Sequence, residues 1–341
     1  MKRNVIAITA LLLAGCAGKN EPAPLAPTRI EGLELTFINT NLPDPTPTIE
    51  FVSETTGFLA GYKGDLFKTS DGGTSWKQIT TNTTYPIYDI HFINANEGWA
   101  VGGDDSCSDN SCTLAGAVIL HTLDGGDTWD NVAPETKDPV ALASVYFVND
   151  QLGFAAGTFS ILRTTDGGET WSETIVENPG ATLKHVRFFD ENNGLVMGIF
   201  GKVFKTSDGG DTWEVLDQDA GFGAITLSLT GTTGFSALDK NIHRSLDHGK
   251  TWSLFHAFDQ AGIWSLNFTS ETTGFAVGTG QWSGGDFGHG MASIHYTSDG
   301  GQTWTGADDI HEVQAISDAS FPTPNVGFGV CLGSIVKIRL K

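Results

Sequence analysis

The chain has 341 residues, 19 of them Lys or Arg and 40 Asp or Glu, for a formal net charge of −21. So acidic a body repels nucleic acid and anionic lipid headgroups, which excludes both as partners held by charge. Forty-three glycines, 21 phenylalanines and nine tryptophans beside three methionines favour short strands joined by tight turns, and no segment sustains a helical apolar period.

The first segment, MKRNVIAITALLLAGCAGKN, places Lys2 and Arg3 before an apolar run from Val5 to Leu13 and then small residues ahead of Cys16. This reads as a signal peptide over residues 1–15, too short for a permanent bilayer span. Leu13-Ala14-Gly15-Cys16 resembles a bacterial lipobox. The resemblance implies that Cys16 is diacylated, becomes the first mature residue and anchors the chain to a membrane. Ala17 stands where a retention Asp would be, which implies an outer-membrane lipoprotein whose body is periplasmic or surface-exposed. Residues 16–30, carrying three prolines, read as an extended tether reaching about 40 Å at roughly 3.1 Å per residue. The folded body is expected over residues 31–341.

LELTFIN, residues 33–39, follows as a lone strand without local partners. One octapeptide then recurs six times: TSDGGTSW, TLDGGDTW, TTDGGETW, TSDGGDTW, SLDHGKTW and TSDGGQTW. Its Asp and Trp positions are Asp71 and Trp76, Asp124 and Trp129, Asp166 and Trp171, Asp208 and Trp213, Asp247 and Trp252, and Asp299 and Trp304. The tryptophans lie 53, 42, 42, 39 and 52 residues apart, the period of a four-stranded propeller blade. The two long intervals contain the insertions GGDDSCSDNSCTLAG and TGQWSGGDFGHGM.

Each unit reads as four antiparallel strands, a to d from the inside out, as in ALASVYF, GFAAG, SILRTT and TWSETIV of the third. The octapeptide forms the c to d turn: Asp accepts backbone N–H groups, the glycines permit positive φ, and Trp opens strand d with its ring buried. Each turn offers one carboxylate, whereas a calcium loop needs several oxygen ligands, so no metal or other cofactor is expected.

The octapeptide resembles the Asp-box, or bacterial neuraminidase repeat. The fuller patterns GFLAGYKGDLFKTSDGGTSW and GLVMGIFGKVFKTSDGGDTW are similar to the photosystem II stability/assembly factor family, over residues 48–341. The resemblance implies an all-β, seven-bladed propeller acting as a non-catalytic binding or assembly scaffold for an envelope protein or complex. Six blades are local. The strands AISDASF, VGFGVCL and SIVKIRLK at the C-terminus lack a fourth, which residues 33–38 supply, so that no sheet edge is left open at the closure. A monomer is expected.

Three sets of candidate residues follow. The polar members of the inner strands, Glu50, Asp89, His91, Tyr146, His185, Arg187 and Asp318, face the central channel and combine acids, bases and one guanidinium. Their alternative role is to satisfy one another in a hydrated channel. Both insertions are b to c loops and project from the face opposite the Asp-boxes. There Trp282, Phe287 and His289 offer an adaptable contact surface for a partner. Cys107 and Cys112, with four residues between them in an exported chain, suit a local disulfide; Cys331, in GFGVCLG, reads as a buried free thiol. A glycan-binding or sialidase-like protein using the channel is the alternative function. Against it, the mature chain carries few arginines and no R-I-P segment precedes the repeats.

Overall fold

The computed structural model describes residues 28–40, 42, 48–104, 107–108, 111–112, 115–134, 141–176, 183–198, 202–217, 225–280 and 291–341. Among the described residues every regular element is a β-strand. Six four-stranded antiparallel sheets form successive blades over residues 48–79, 87–131, 142–175, 183–217, 226–257 and 262–314. Blade 3 shows the plan, with strand a at Leu142–Phe147, b at Gly153–Gly157, c at Ser160–Thr164 and d at Ser172–Ile175.

Blade 7 is composite. Its strands a, b and c are Asp318–Thr323, Val326–Cys331 and Ser334–Leu340, and its strand d is Leu33–Asn39. The register runs from Leu33 opposite Leu340 to Asn39 opposite Ser334, the closure expected from the strand count. One boundary moves: Thr28–Ile30, read in the sequence as the end of the tether, pairs outside strand d and makes this sheet five-stranded. The reason is local, because Glu31 and Gly32 form a tight turn that folds residues 28–30 back onto residues 33–35, with Gly32 at φ 76°. The first insertion also contains a small hairpin of its own, pairing Cys107–Ser108 with Ser111–Cys112.

Blade is locked to blade by one recurring wedge. The first bulky side chain of strand b stacks on the last of strand a in the following blade: Phe328 on Phe51, Phe58 on Phe92, Trp99 on Phe147, Phe154 on Phe188, Phe235 on Phe268 and Phe275 on Phe321. Ring centroids in these pairs lie 3.5–4.7 Å apart. Between blades 4 and 5, Leu195 and Leu229 take the place of the rings, in one cluster with Trp252. The Asp-box Trp of the following blade meets the strand a ring edge-on, as in Phe188–Trp213 at 6.2 Å and 85°. Burying each such ring stabilises the interface by about 1.5–3 kcal/mol, with about 0.5–1.5 kcal/mol more from the ring geometry.

The Asp-box turn holds that Trp in place. Asp208 Oδ1 accepts from Thr206 Oγ1 at 2.8 Å and from the Thr212 amide at 2.9 Å, and Oδ2 accepts from Thr212 Oγ1 at 2.6 Å. Thr206 Oγ1 in turn accepts from the Gly210 amide at 2.8 Å. The same pattern recurs around Asp71, Asp124, Asp166, Asp247 and Asp299. These donors pull the Asp208 carboxyl down to about 2, although it is open to water. Being depressed, its contribution to stability is complete above the unfolded value near 4 and is lost as pH falls through about 2.

The two glycines of the turn have different duties. Both have positive φ, 70° at Gly209 and 81° at Gly210, but a Cβ on Gly210 would lie 2.4 Å from the Phe154 ring of the preceding blade. Gly209 approaches only the Glu191 carbonyl, at 3.1 Å. Gly209→Ala should therefore cost about 1 kcal/mol of backbone strain, and Gly210→Ala about 2–4 kcal/mol through strain plus a displaced wedge. Urea unfolding of the two variants checks the order; equal losses would contradict the wedge. Deletion of residues 31–42 removes the buried Leu33, Leu35 and Phe37 from blade 7. It should lower stability by about 5 kcal/mol or more, and an unchanged melting transition would contradict ring closure.

Candidate functional site

The innermost strands face a central channel with a cavity of about 750 Å³. Strand a has no further strand on its inner side, so its side chains and its free amides both border this space. Alternation along strand a sends one set, such as Val145 and Phe147, into the blade interface and the other, such as Ser144 and Tyr146, towards the channel. In this way the fold gathers Glu50, Asp89, His91, Tyr146, His185, Arg187 and Asp318 on one cavity wall.

Most of the polar side chains there serve the neighbouring blade. Asp89 Oδ2 accepts from the Val145 amide and from Ser144 Oγ, both at 2.9 Å. Ser144 accepts from the Val186 amide at 3.3 Å, Thr226 from Leu266 at 3.1 Å, Ser228 from Phe268 at 2.8 Å and Ser265 from Ala319 at 3.3 Å. Asp318 accepts from the Ile49 amide at 3.2 Å, and Ser320 from Phe51 at 2.9 Å. His185 Nε2 pairs with the Ile225 carbonyl and His91 Nε2 with the Phe147 carbonyl. Buried backbone groups left unpaired cost free energy, and here blades 2 to 7 each satisfy some of those of the next. The stitching runs in one direction around the ring.

The electrostatics follow from crowding acids into a confined space. Burial, then the nearby Asp89 and Asp318, push the Glu50 carboxyl up to about 8 against the bond from Ser320 Oγ at 3.0 Å. Burial carries Asp318 up to about 6 and also raises Asp89, although Arg187 and the hydrogen bonds to Asp89 act the other way. His91 and His185 are brought down to about 4, by burial first and by Arg187 second, so both are neutral at pH 7. Arg187 donates to Ser144 Oγ at 3.0 Å and to the Val186 carbonyl at 2.8 Å. It lies 3.8 Å from Asp89 and over the Tyr146 ring at 5.7 Å.

Other arginines are occupied elsewhere. Arg163 binds the Gly209 carbonyl and Asp211, Arg244 covers the Phe255 ring, and Arg339 pairs with Glu54. Among the described residues, Arg187 is the one arginine lining the cavity, so the arginine cluster that a sialidase needs for its substrate carboxylate is not assembled there. Cys331 is a buried free thiol, pushed up to about 12 by burial. Backbone pairing sets Cys107 opposite Cys112. Cys16, Trp282, Phe287 and His289 lie outside the described residues.

Two residues at the channel mouth were not singled out in the sequence. Strand a of blades 2, 3, 4 and 6 carries a β-bulge near its start, and the extra residues are Tyr88, Ala143, Lys184 and Trp264. The carbonyls of Pro86, Ala141 and Gly262, just ahead of the bulges, approach strand b so closely that a Cβ at Gly102, Gly157 or Gly278 would sit within 2.0 Å of one. Bulges re-aim side chains, and here they bring Tyr88 and Trp264 to the cavity. The signal was present as a spacing of three between apolar residues, Ile87 to Ile90 and Ile263 to Leu266, where alternation demands two.

A family model described as "Photosynthesis system II assembly factor YCF48" matches residues 33–182. A curated relative, the chloroplastic photosystem II stability/assembly factor HCF136 of Arabidopsis thaliana, is 26% identical over 101 residues, 28% of this chain. The matched stretch spans 22% of that relative's length. A solved structure titled "YCF48 bound to D1 peptide" superposes with a TM-score of 0.67 at 18% identity, covering 91% of this chain and 97% of that one. YCF48 from Cyanidioschyzon merolae gives 0.65 at 16% identity, covering 89% and 98%. A GH74 xyloglucanase from Xanthomonas campestris gives 0.64 at 11% identity, covering 89% of this chain and 53% of that one. In repeat and fold, this chain is similar to the photosystem II assembly factor propellers.

Glu50 supplies a test of the channel's electrostatics. A carboxyl whose folded pKa lies above its unfolded value favours the folded state at low pH and loses that contribution as pH rises towards about 8. The depressed histidines act oppositely, but only between about pH 4 and the unfolded value near 6.5. The window from about pH 6.5 to 8 therefore lies above the histidines and Asp318, and comparison with Glu50→Gln separates the contribution of Glu50. Glu50→Gln should retain about 1–2 kcal/mol of stability that the parent chain loses across that window, measured by urea unfolding at its two ends. Parallel losses in both proteins would contradict the assignment.

Proposed function

We propose that this chain is a non-catalytic assembly scaffold of the cell envelope, lipid-anchored through Cys16, which binds a protein partner on the face opposite the Asp-boxes. The observation that carries the reading is the use of the inner-strand polar groups. Asp89, Ser144, Thr226, Ser265 and Asp318 are engaged by amides of the adjacent blade, and a group held in that way is not free to attack or to shuttle a proton. The ring is thus built for rigidity, which suits a platform for binding. A relative of the same fold was solved with a peptide bound, which supports a protein as the ligand class.

The two faces differ in a way that fits. Six Asp-box turns make one face repetitive, whereas the other receives both b to c insertions, between the strands ending at Asp104 and beginning at Ala115, and between Thr279 and Met291. Loops on a rigid scaffold are where recognition diversifies. The loop holding Trp282, Phe287 and His289 supplies aromatic contact in this reading, since a few such residues concentrate interface energy. A glycan ligand is the second reading, favoured by the fold shared with the xyloglucanase and by an exposed Trp264 at the mouth.

Two measurements check the proposal. Mass spectrometry of the membrane fraction should find acylated Cys16 as the first residue, and a soluble form beginning downstream would remove the anchor. Cross-linking in intact envelopes should place a protein partner on the insertion face. Removing residues 281–289 should then reduce that cross-link about tenfold or more while leaving Tm nearly unchanged. Undiminished cross-linking, or saccharide binding with no protein partner, would overturn the scaffold reading.

A further inference from the structure

Resting on the reading of a protein partner, we infer that the partner presents a basic segment, and that a Lys or Arg side chain of it enters the channel mouth between Tyr88 and Trp264. Four blades carry a bulge near the start of strand a, and of these only blades 2 and 6 have an aromatic extra residue. These are also the two blades that carry the long b to c insertions. Two independent departures from the repeat thus coincide on the same blades and the same face.

The aromatic surface extends beyond that pair. Trp264 is 42% exposed although it belongs to an innermost strand. Tyr62, in the b to c turn of blade 1, packs edge-on against Tyr88 with ring centroids 6.3 Å apart, and both Tyr62 and Tyr85 are exposed. Phe159, in the b to c turn of blade 3, is 41% exposed at φ 64°, a conformation that the corresponding turn of blade 7 gives to Gly333. A soluble surface does not keep bulky rings in such positions for stability, since burial would be favourable and a left-handed Phe is strained.

Charge selects the occupant. Glu50, Asp89 and Asp318 border the cavity against the single guanidinium of Arg187, which is already held at Asp89 and Ser144. Asp318 has no ion-pair partner among the described residues, whereas Glu50, raised to about 8, is protonated at neutral pH and adds no charge; the whole chain carries −21. A cation at the mouth gains from the exposed indole face and from the Asp318 carboxylate, and the acidic body accelerates its approach. An anionic segment would meet an uncompensated carboxylate; a neutral saccharide would use the rings and gain nothing from the charge.

The test uses the full mature chain and three probes: a short Lys- and Arg-bearing peptide, the same peptide with Glu at those positions, and a xyloglucan oligosaccharide. Calorimetry should detect binding of the basic peptide alone, weakened several-fold on raising salt from about 50 to 200 mM. Trp264→Ala should weaken it about tenfold and Trp264→Phe less, since Phe retains a ring face, both with unchanged Tm. Asp318→Asn should reduce the salt dependence, whereas Glu50→Gln should leave it unchanged at neutral pH. Failure of the basic peptide to bind, equal binding by Trp264→Ala, or preference for the acidic peptide or the oligosaccharide would overturn the inference. If the basic peptide fails while the envelope cross-link on the insertion face persists, the scaffold reading stands without this mouth. If the cross-link is also missing, both fall.

Discussion

The wedge between blades is the contact on which the rest of the molecule depends. A ring from strand b slides between the strand a ring of the following blade and its Asp-box turn, and the Asp-box Trp closes the space edge-on. A four-stranded sheet alone buries neither face. Stacking it against two neighbours buries both, and closing the stack into a ring leaves no terminal blade exposed. The repeated octapeptide is therefore the fixture of a joint. Its Asp ties the turn, its second glycine gives clearance to the neighbouring ring, and its Trp fills the remaining gap.

The inner end of each blade is governed by a different constraint. Seven strands converge on an axis where there is no partner strand, so their amides need acceptors. At five of the seven junctions side chains of the preceding blade provide them. This accounts for the mixture of Ser, Thr, Asp and His along the channel without invoking a reaction. It also explains the perturbed acids: Asp89 and Asp318, placed to accept amide hydrogen bonds, lie close together away from bulk water, and Glu50, buried beside them and bonded by the Ser320 hydroxyl, is the most displaced. A shifted pKa in a channel is often a sign of chemistry. Here the geometry supplies an architectural cause.

Much of this was legible in the sequence because propellers repeat. Six Asp-boxes gave the period, the orphan LELTFIN gave the closure, and the alternation in VYF or VRF separated wedge residues from channel residues. The family resemblance carried by the full repeat patterns agreed with the architecture found. What alternation could not show was the hydrogen bonding from blade to blade, because residues such as Asp89 and Val145 are far apart in the chain and meet only through ring geometry. The bulge residues were passed over for another reason. Tyr88 and Trp264 interrupt the period, and a reading anchored on regular pairs such as Ile90 and Phe92 discards the irregular residue, although irregularity is where a repeat protein departs from mere structure. The tether boundary was misplaced by three residues, since Thr28–Ile30 is too short to show a pattern of its own.

A ring closed by wedges should behave as one cooperative body, and native-state hydrogen exchange tests this most directly. The account predicts that the strand b amides of all seven blades exchange only through global unfolding, with a common free energy. Phe51→Ala, at the junction of blades 7 and 1, should lower that value equally around the ring. Loss of protection confined to blades 7 and 1, with the others unchanged, would contradict the account and describe an open array of independent blades.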